Sequence, residues 1–504
     1  MHLVLVVCTA AGALAALVAH SVPAGAAGPG CQAGDIEVTT NADAGAGSLR
    51  AAFATASAVA GPSRVCVSTT VAGPIVLTTG EVLYNAGTTP GLTVEGNGIT
   101  VSGNNASRVI NNDTPGSLTL HHVTVTGGNT SSADGGGGVV SAGATNIIDS
   151  VIAGNTATTG GGVKLRTAGS VVTVTNSAIV NNTSTTGVGG GFTTFGAVTV
   201  TGSRVSGNHA GTFGGGAAVS SGLTSVVNST FDWNTAAEGG GGIDANNQVE
   251  VTSSTISSNT AARGDGGAVN GGFGGDVTIT NSTLSDNTAT GEPASQGGAI
   301  HQSSGNVTVT NSTISGNRAI GETSQGGGIR EFSGNVTLVY ATVVQNSATE
   351  GDNIREASGV LTAFGSVVAL GSTNCTGGTT TSNGFNFSDD SSCGFTAATD
   401  MQRAGDPALG ALADNGGPTR TRLPQPGSPL IDAVATASCQ ADGTAGITTD
   451  QRGITRPQGS GCDIGAVEVE VPGPTPPGPT PGPIPAGSTS AAPRAIPVTP
   501  KFTG

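Results

Sequence analysis

The chain has 504 residues, of which 85 are glycine and only 10% are charged, and its formal net charge is −15 at pH 7. Nucleic acids and anionic membrane surfaces require basic patches, so an acidic chain of this kind excludes both as partners. Intrinsic disorder is also disfavoured, because disordered chains are rich in charge whereas this one repeats short runs of Val, Ile and Thr.

The first 27 residues have the pattern of a signal peptide. An apolar stretch from Leu3 to Val18 precedes Ala24, Gly25 and Ala26, a cleavage site of the Ala-x-Ala type. No Lys or Arg precedes the stretch, and a buried N-terminal helix is the alternative. We expect an exported, extracellular protein without a membrane-spanning segment in the mature chain, because the stretch is too short to cross a bilayer comfortably.

Residues 28–64 are predicted to form an N-terminal cap. Leu49, Ala52 and Phe53 have helical spacing, which indicates a short amphipathic helix that covers the start of the next segment. The stretch around them, which reads Ser-Leu-Arg-Ala-Ala-Phe from Ser48, resembles the Ser-Leu-Arg-Glu-Ala-Ile motif of many bacterial surface β-helix proteins, with Ala51 in place of the glutamate. The resemblance implies that the next segment is a β-helix.

Residues 65–375 are predicted to form the repeat region, and between Ile152 and Asn346 a signature of one apolar residue, two variable residues and Asn returns eight times. Successive asparagines lie 27, 26, 26, 25, 28, 30 and 29 residues apart. A period of this length is typical of a solenoid in which each repeat is one coil. We predict an all-β fold, a right-handed parallel β-helix of about ten coils with capped ends. The asparagines are Asn155, Asn182, Asn208, Asn234, Asn259, Asn287, Asn317 and Asn346.

The repeat that starts at Val277 shows how a coil is built. Val277 to Thr280 alternates apolar and polar residues, the pattern of a half-buried strand, and a second extended segment starts at Gly297. We expect two or three strands per coil, with the apolar residue of each signature in the core. The asparagines are expected to form a structural ladder, in which each amide bonds to the amides above and below it.

Two pieces of these repeats resemble a known family. Gly-Gly-Ala-Ile at Gly297 to Ile300, together with Phe-x-x-Asn at Phe231 to Asn234, resembles the repeats of polymorphic outer-membrane proteins. The resemblance covers about residues 120–350. It implies a right-handed parallel β-helix on a bacterial surface, in a family with members linked to adhesion.

Residues 376–470 are predicted to form a C-terminal cap. Gly427 to Asp432 (Gly-Ser-Pro-Leu-Ile-Asp) and Cys462 to Ala466 (Cys-Asp-Ile-Gly-Ala) resemble the choice-of-anchor Q domain of exported bacterial proteins. The resemblance implies a module found on surface or secreted β-helices. Residues 471–504 are rich in proline and form either a spacer from the cell envelope or a disordered tail, and both interpretations stay open.

The C-terminal cap contains four aspartates that could serve as paired acid–base carboxylates. We interpret them instead as turn and ion-pair residues, with Arg452 and Arg456 as their partners. The aspartates are Asp414, Asp432, Asp450 and Asp463.

Six cysteines remain after the predicted signal peptide, and all of them flank the repeats. An even number in an exported chain indicates three disulfides, and six cysteines permit 15 pairings. We favour the sequential pairs because the ends of a solenoid need stapling. A zinc site is the alternative, although the spacing of zinc ligands is absent from the sequence. The favoured pairs are Cys31–Cys66, Cys375–Cys393 and Cys439–Cys462.

The carboxylates that an enzyme would need are scattered over different positions of the coil. Glycoside hydrolysis requires two of them side by side. We therefore single out no catalytic residue, no cofactor-binding residue and no metal ligand. These carboxylates are Asp149, Asp232, Asp244, Asp265 and Asp286.

The sequence therefore predicts a secreted or cell-surface monomer that is non-catalytic and has an adhesive or structural role. The expected partners are glycans or proteins of a host or cell surface. The alternative is a lyase or hydrolase that acts on polysaccharides with a pectate-lyase-like β-helix, and carboxylates that converge on one face would favour it.

Overall fold

The computed structural model describes residues 28–87, 90–291, 293–439 and 447–470, without the side chain of Phe273. The predicted signal peptide over residues 1–27 and the proline-rich stretch over residues 471–504 lie outside the described residues. Within the described part, no helix is long and apolar enough to cross a membrane.

The chain winds into a parallel β-helix, which confirms the predicted fold class. Four sheets run along its length, and we number them 1 to 4 in the order in which the chain passes through them. In one coil the strands are Val277–Thr280, Thr283–Ser285, Thr288–Thr290 and Ile300–Ser304. Each strand pairs in parallel with the corresponding strand of the next coil.

The four sheets differ in their number of strands. Sheet 1 contains Ile36–Val38, Ser63–Val67, Leu92–Glu95, Leu118–His121, Thr145–Ile148, Val172–Thr175, Val198–Thr201, Thr224–Val227, Val249–Thr252, Val277–Thr280, Val307–Thr310, Val336–Val339, Val360–Phe364 and Thr379–Ser382. Sheet 2 contains Ile75–Val76, Thr100–Ser102, Thr124–Thr126, Val151–Ala153, Ala178–Val180, Arg204–Ser206, Thr230–Asp232, Thr255–Ser257, Thr283–Ser285, Thr313–Ser315, Thr342–Val344, Val367–Ala369, Phe387–Ser388 and Met401–Gln402. Sheet 3 contains Asn129–Thr130, Thr156–Ala157, Thr183–Ser184, His209–Ala210, Thr235–Ala236, Thr260–Ala261, Thr288–Thr290 and Arg318–Ile320. Sheet 4 contains Val82–Tyr84, Ile110–Asn112, Val139–Ser141, Val163–Leu165, Phe192–Thr194, Ala217–Val219, Ile243–Ala245, Val269–Phe273, Ile300–Ser304, Ile329–Glu331, Ile354–Glu356 and Cys375–Thr376.

The solenoid has more coils, and more strands per coil, than the sequence predicts. Sheets 1 and 2 have 14 strands each, against about ten expected coils, and a coil has up to four strands rather than two or three. The coil before Asn155 has Gly128 at the asparagine position, which interrupts the signature, although Val101 to Asn104 repeats it in the coil before that. The strands of sheet 3 are two or three residues long, which is too short for alternation to be visible.

The core consists of apolar side chains stacked from coil to coil. On sheet 2, Phe231, Ile256 and Leu284 pair in register on successive coils, and each is fully buried. Neighbouring parallel strands are about 4.8 Å apart, so each side chain rests on the one below it. Burial of one such side chain is worth roughly 1.5–3 kcal/mol.

A short helix, Leu49–Ser57, packs on the first coils, where the sequence predicts an amphipathic helix. The Ser48 hydroxyl accepts a hydrogen bond from the N–H of Ala51 at 3.2 Å and caps the helix N-terminus. Leu49, Ala52 and Phe53 are buried, so the helix covers apolar surface that would otherwise be exposed.

A C-terminal segment, described over residues 405–439 and 447–468, packs on the outer face of sheet 2, and the cap predicted over residues 376–470 stays a prediction. The Gln451 amide donates to the carbonyl of Ser282 at 3.1 Å, and the Arg422 Nε donates to the Ser315 hydroxyl at 2.8 Å. The amide N–H of Ala466 donates to the Thr342 hydroxyl at 2.9 Å. Hydroxyl side chains on this face therefore bind the segment and are buried beneath it.

The C-terminal segment also contains three short elements of its own. The strands Val434–Ala435 and Gly461–Cys462 pair antiparallel, and a 3-10 helix spans Thr436–Ser438. Leu430 and Ile464 pack with Tyr340 and Phe364 of the solenoid in a second apolar cluster.

Three disulfides join the six cysteines in the sequential pairing that the sequence favours. They are Cys31–Cys66, Cys375–Cys393 and Cys439–Cys462. Because all six sulfurs are used in these bonds, the cysteines are not zinc ligands. The bonds lie near the two ends of the described chain, where few neighbouring coils restrain it.

Candidate functional site

The eight asparagines of the repeat lie in one buried column. The side-chain amide of each donates to the amide oxygen of the next at 2.9 to 3.0 Å, from Asn155 to Asn346. The column continues through Asn353 and Asn374. Every member is at most 2% exposed, so a ligand has no access to these amides. A functional site must therefore lie on an outer face.

Such a face lies on sheet 4, where five polar residues occupy the same outward position on successive coils. Asp244, Asn270, His301, Arg330 and Arg355 are direct partners in the parallel ladder. We call these five residues the sheet-4 column. Because side chains alternate between the two sides of a strand, the flanking residues of each strand point into the core and hold the column in place.

Three members of the column are linked by hydrogen bonds. The Asn270 amide donates to Asp244 Oδ1 at 2.7 Å, and the Asn270 Oδ1 lies 2.8 Å from His301 Nδ1. In this arrangement His301 Nδ1 carries the proton and its Nε2 is the acceptor, on a residue that is only 8% exposed. The chain thus offers an acid, an amide and an imidazole in fixed orientations.

Burial changes the ionisation of these groups. Burial raises the pKa of Asp244 to about 6, although the hydrogen bond from Asn270 opposes the change. Burial, with a contribution from the positive charge of Arg330, lowers the pKa of His301 to about 4. At neutral pH the column therefore has an ionised Asp244 and a neutral His301.

A groove of about 390 Å³ borders the column at Asn270. It is also lined by Phe213, Glu238, Arg263 and Asp265. Burial raises the pKa of Asp265, whose carboxylate accepts the N–H of Gln296 at 2.8 Å. The groove therefore offers two acidic residues beside Asp244, one cation and one aromatic ring.

The glycine at position 239 leaves room for the Asn270 amide in the wall of the groove. A Cβ at Gly239 would lie 2.9 Å from the Asn270 side-chain nitrogen and 3.3 Å from the Phe213 ring. Any larger residue there would push against the column.

The other end of the column is basic and aromatic. The Arg330 guanidinium lies over the Phe332 ring, 5.2 Å from its centroid, and its Nε donates to Gln325 Oε1 at 2.9 Å. Phe332 is 56% exposed. A planar guanidinium binds carboxylates through paired hydrogen bonds, and an exposed ring offers a surface for stacking.

The structure separates the aspartates of the repeat region. Asp244 and Asp265 lie beside the groove. Asp232 forms two hydrogen bonds with Arg204, at 2.7 and 3.1 Å, and Asp149 faces two histidines of the preceding coil. Asp286 lies on the other side of the coil, close to Arg422 of the C-terminal segment.

The aspartates of the C-terminal segment bond mostly within that segment. Asp450 pairs with Arg452 at 2.9 Å, and Asp463 accepts the N–H of Asp432 at 2.7 Å. Asp414 accepts the N–H of Gly416 at 3.1 Å.

Arg456 forms its ion pair with a glutamate, and it contacts Asp463 only through the backbone carbonyl of that residue, at 3.0 Å. Its guanidinium pairs with Glu468 at 2.9 Å and lies over the Tyr340 ring, 4.3 Å from the centroid. This pair is buried between the segment and the solenoid.

Four members of the column, Asn270, His301, Arg330 and Arg355, were not predicted from the sequence. Asn270 lies 26 residues after Asp244, but His301 lies 31 residues after Asn270, because the loops between sheets 3 and 4 differ in length. A fixed period therefore does not find this column. Each member of the column is the second residue of its sheet-4 strand, so an alignment on the strand starts brings the members together.

Comparisons with known proteins add little. No protein-family model matches the chain, and no curated protein matches it. Among solved structures, the crystal structure of pectate lyase Pel9A aligns over 82% of this chain and 90% of that chain, with 14% sequence identity and a TM-score of 0.32. At that identity and score the likeness bears on neither substrate nor activity. The family resemblances seen in the sequence stay predictions.

Proposed function

We propose that this protein is exported and binds a glycan along the sheet-4 column without cleaving it, in an adhesive or structural role at a cell surface. One observation carries the proposal. Asp244, Asn270, His301, Arg330 and Arg355 form an unbroken row of donors and acceptors on successive coils of a rigid face. A linear polymer that runs along the axis would meet a new polar group about every 4.8 Å.

The chemistry of the row fits a sugar that has both hydroxyl and carboxylate groups. Asp244, Asn270 and the acceptor nitrogen of His301 suit hydroxyls, because they combine acceptors and donors at short range. Arg330 and Arg355 suit the carboxylate of a uronic acid. Phe213 and Phe332 are exposed at 37% and 56%, and they offer apolar faces for sugar rings.

Two features support export. Disulfides persist in oxidising compartments, and three of them are present here. The predicted signal peptide points in the same direction.

A second candidate function is cleavage of a polysaccharide, which the groove itself favours. Asp244, with a pKa of about 6, and Asp265, whose pKa burial also raises, lie on one face near Glu238. A carboxyl group with a pKa near the working pH can act as a general acid, and a neighbouring carboxylate can act as a base. Cleavage would therefore be strongest in mildly acidic solution.

A glycan array followed by calorimetry tests the first candidate. We expect the purified protein to bind a uronate-containing glycan, and Arg330→Gln to weaken binding about tenfold, which corresponds to about 1.4 kcal/mol. Arg403→Gln serves as the matched control, because Arg403 is exposed and lies in the last coil. Failure to bind any glycan, or equal loss in the two variants, would contradict the proposal. Release of new chain ends that Asp244→Asn abolishes would support the second candidate instead.

A further inference from the structure

A separate polar cluster lies where strands of sheet 1 end in the first coils. Glu95 and His121 are the last residues of their strands and pair in register on successive coils. His122 and Asp149 each follow the last residue of a sheet-1 strand, one coil apart. Neither histidine belongs to the sheet-4 column, and neither was singled out from the sequence.

Each imidazole lies between two carboxylates. Glu95 Oε2 is 2.8 Å from His121 Nδ1, and Glu95 Oε1 is 3.0 Å from His122 Nδ1. On the other side of the rings, Asp149 Oδ2 is 3.4 and 3.9 Å from their Nε2 atoms. Ligand atoms of Glu95, His121 and His122 all lie within 4.8 Å of one another.

The cluster is buried on the side of Glu95 and His122, whereas the side chains of His121 and Asp149 are 29% and 35% exposed. Glu95 is 1% exposed and His122 is 8% exposed. Gly28 covers the carboxylate so closely that a Cβ there would lie 2.4 Å from Glu95 Oε1. The two rings are 3.9 Å apart between centroids.

His122 adopts a left-handed backbone conformation, with φ at +49°. The same turn of later coils has this conformation at Asp149, Asn176, Ser253 and Tyr340, among others. Histidine, like Asn and Asp, adopts it more readily than most residues, so His122 fits the turn without special strain. The imidazole is therefore held at a turn that the solenoid repeats from coil to coil.

Neighbouring charges leave the cluster negative. Arg64 Nη2 lies 3.4 Å from Glu95 Oε2, but its other terminal nitrogen pairs with Asp35. The N–H of Asn97 donates to Glu95 Oε1 at 3.2 Å. The negative charge of Asp35 cancels the positive charge of Arg64. The carboxylates of Glu95 and Asp149 therefore give the cluster a net negative charge, which attracts a cation.

We propose that Glu95, His121 and His122 bind one divalent transition-metal ion of the Zn²⁺ class, with Asp149 accepting the remaining imidazole N–H groups. Two imidazoles and a carboxylate are typical zinc ligands, whereas Ca²⁺ and Mg²⁺ prefer sites made wholly of oxygen. Metal-bound histidines usually donate their other ring N–H to a carboxylate, which is the place of Asp149. Tetrahedral bonds of 2.0–2.1 Å would put the ligand atoms about 3.3 Å apart, so the cluster needs to open by a few tenths of an ångström.

The ion would join successive coils next to the Cys31–Cys66 disulfide. Calorimetry on the untagged, chelator-treated full chain tests this with ZnCl₂, and with CaCl₂ and MgCl₂ as comparisons. We expect one Zn²⁺ per chain, a higher thermal unfolding temperature with Zn²⁺, and no comparable effect of Ca²⁺ or Mg²⁺.

Each histidine is replaced by the residue that later coils have at the same position, so that the variants keep the fold. His122→Asn and His121→Thr are expected to weaken Zn²⁺ binding about 100-fold or more, and Asp149→Asn about 10-fold. His209→Ala is the matched control, because His209 is exposed on sheet 3. Far-ultraviolet circular dichroism checks the fold of each variant.

Three results would overturn the assignment. These are absence of Zn²⁺ binding, unchanged binding in a folded His122→Asn protein, and loss of binding in His209→Ala. A larger effect of Asp149→Asn than of His121→Thr would also overturn it, because the ion would then bind the other ring nitrogens.

Discussion

At the scale of single residues, the buried asparagine column does more than fill space. From Asn182 to Asn346, each side-chain oxygen accepts two hydrogen bonds from the Asn before it, and each amide nitrogen donates to the Asn after it and to a backbone carbonyl. For Asn234 the donated bonds reach Asn259 and the carbonyl of Val205, at 2.9 Å each. A buried amide that lost these partners would leave others unsatisfied, which makes the column sensitive to substitution.

We expect Asn234→Ala to lower the free energy of unfolding by about 1–3 kcal/mol, because the amide groups of Asn208 lose their acceptor. Denaturant unfolding followed by circular dichroism measures the change. Asn246→Ala is the matched control, since Asn246 is exposed on the outside of a coil. Equal stability of the two variants would contradict the structural role of the column.

A pair of buried glutamates makes stability depend on pH. Glu331 and Glu356 pair in register on sheet 4 and are 0% and 2% exposed. Burial, with the neighbouring Glu331, raises the pKa of Glu356 to about 7. The folded state therefore holds a proton that the unfolded state releases above about pH 4.5, and stability should fall as the pH rises from about 5 to 8.

We expect Glu356→Gln to reduce this loss of stability, because the amide has no proton to release. Denaturant midpoints at pH 5 and pH 8 provide the comparison. The matched control is Glu322→Gln, at an exposed position, which should lose stability with pH as the wild type does. If the wild type gained stability relative to Glu356→Gln between pH 5 and pH 8, the predicted direction of the pH dependence would be wrong.

At the scale of strands and coils, alternation of apolar and polar residues is a strong predictor. It predicts the strand Val277–Thr280 at its observed bounds, and the helix at Leu49 is predicted by helical spacing in the same way. The Thr-Ala strands of sheet 3 have too few residues to show a pattern, and they were not predicted.

Contacts between coils are harder to predict, because they depend on loop length as well as on local pattern. The column of Asp244, Asn270 and His301 depends on loops of unequal length between sheets 3 and 4. Glu95 and His121, by contrast, are 26 residues apart, close to the period of the repeat. That pair was within reach of the sequence, but Gly128 interrupts the asparagine signature between Asn104 and Asn155, so the first coils were not aligned with the later ones.

One substitution tests the stacking of coils. Ile256→Asp places a charge in a fully buried position between Phe231 and Leu284, and we expect a loss of about 4 kcal/mol or more, concentrated in the adjacent coils. Hydrogen exchange of backbone amides locates the loss. Ser257→Asp, at the next and partly exposed position, should have a small effect. A negligible loss in Ile256→Asp would contradict the inward assignment.

At the scale of the whole molecule, the C-terminal segment determines which faces are available. It covers the later strands of sheet 2, where the outward hydroxyls of Thr283, Ser315 and Thr342 are buried. The outward face of sheet 4 has its groove, an exposed Phe332 and the partly exposed Asp244, Asn270 and Arg355, whereas His301 and Arg330 are only 8% and 4% exposed. A ligand that runs along the solenoid would therefore find its fixed polar groups on sheet 4.

Hydrogen exchange with and without the glycan selected on the array tests this claim most directly. We predict slower exchange around Asp244, Asn270, His301 and Arg330, and unchanged exchange in the sheet-1 strand Val172–Thr175. Protection confined to sheet 1 or to the C-terminal segment, with none on sheet 4, would contradict the account.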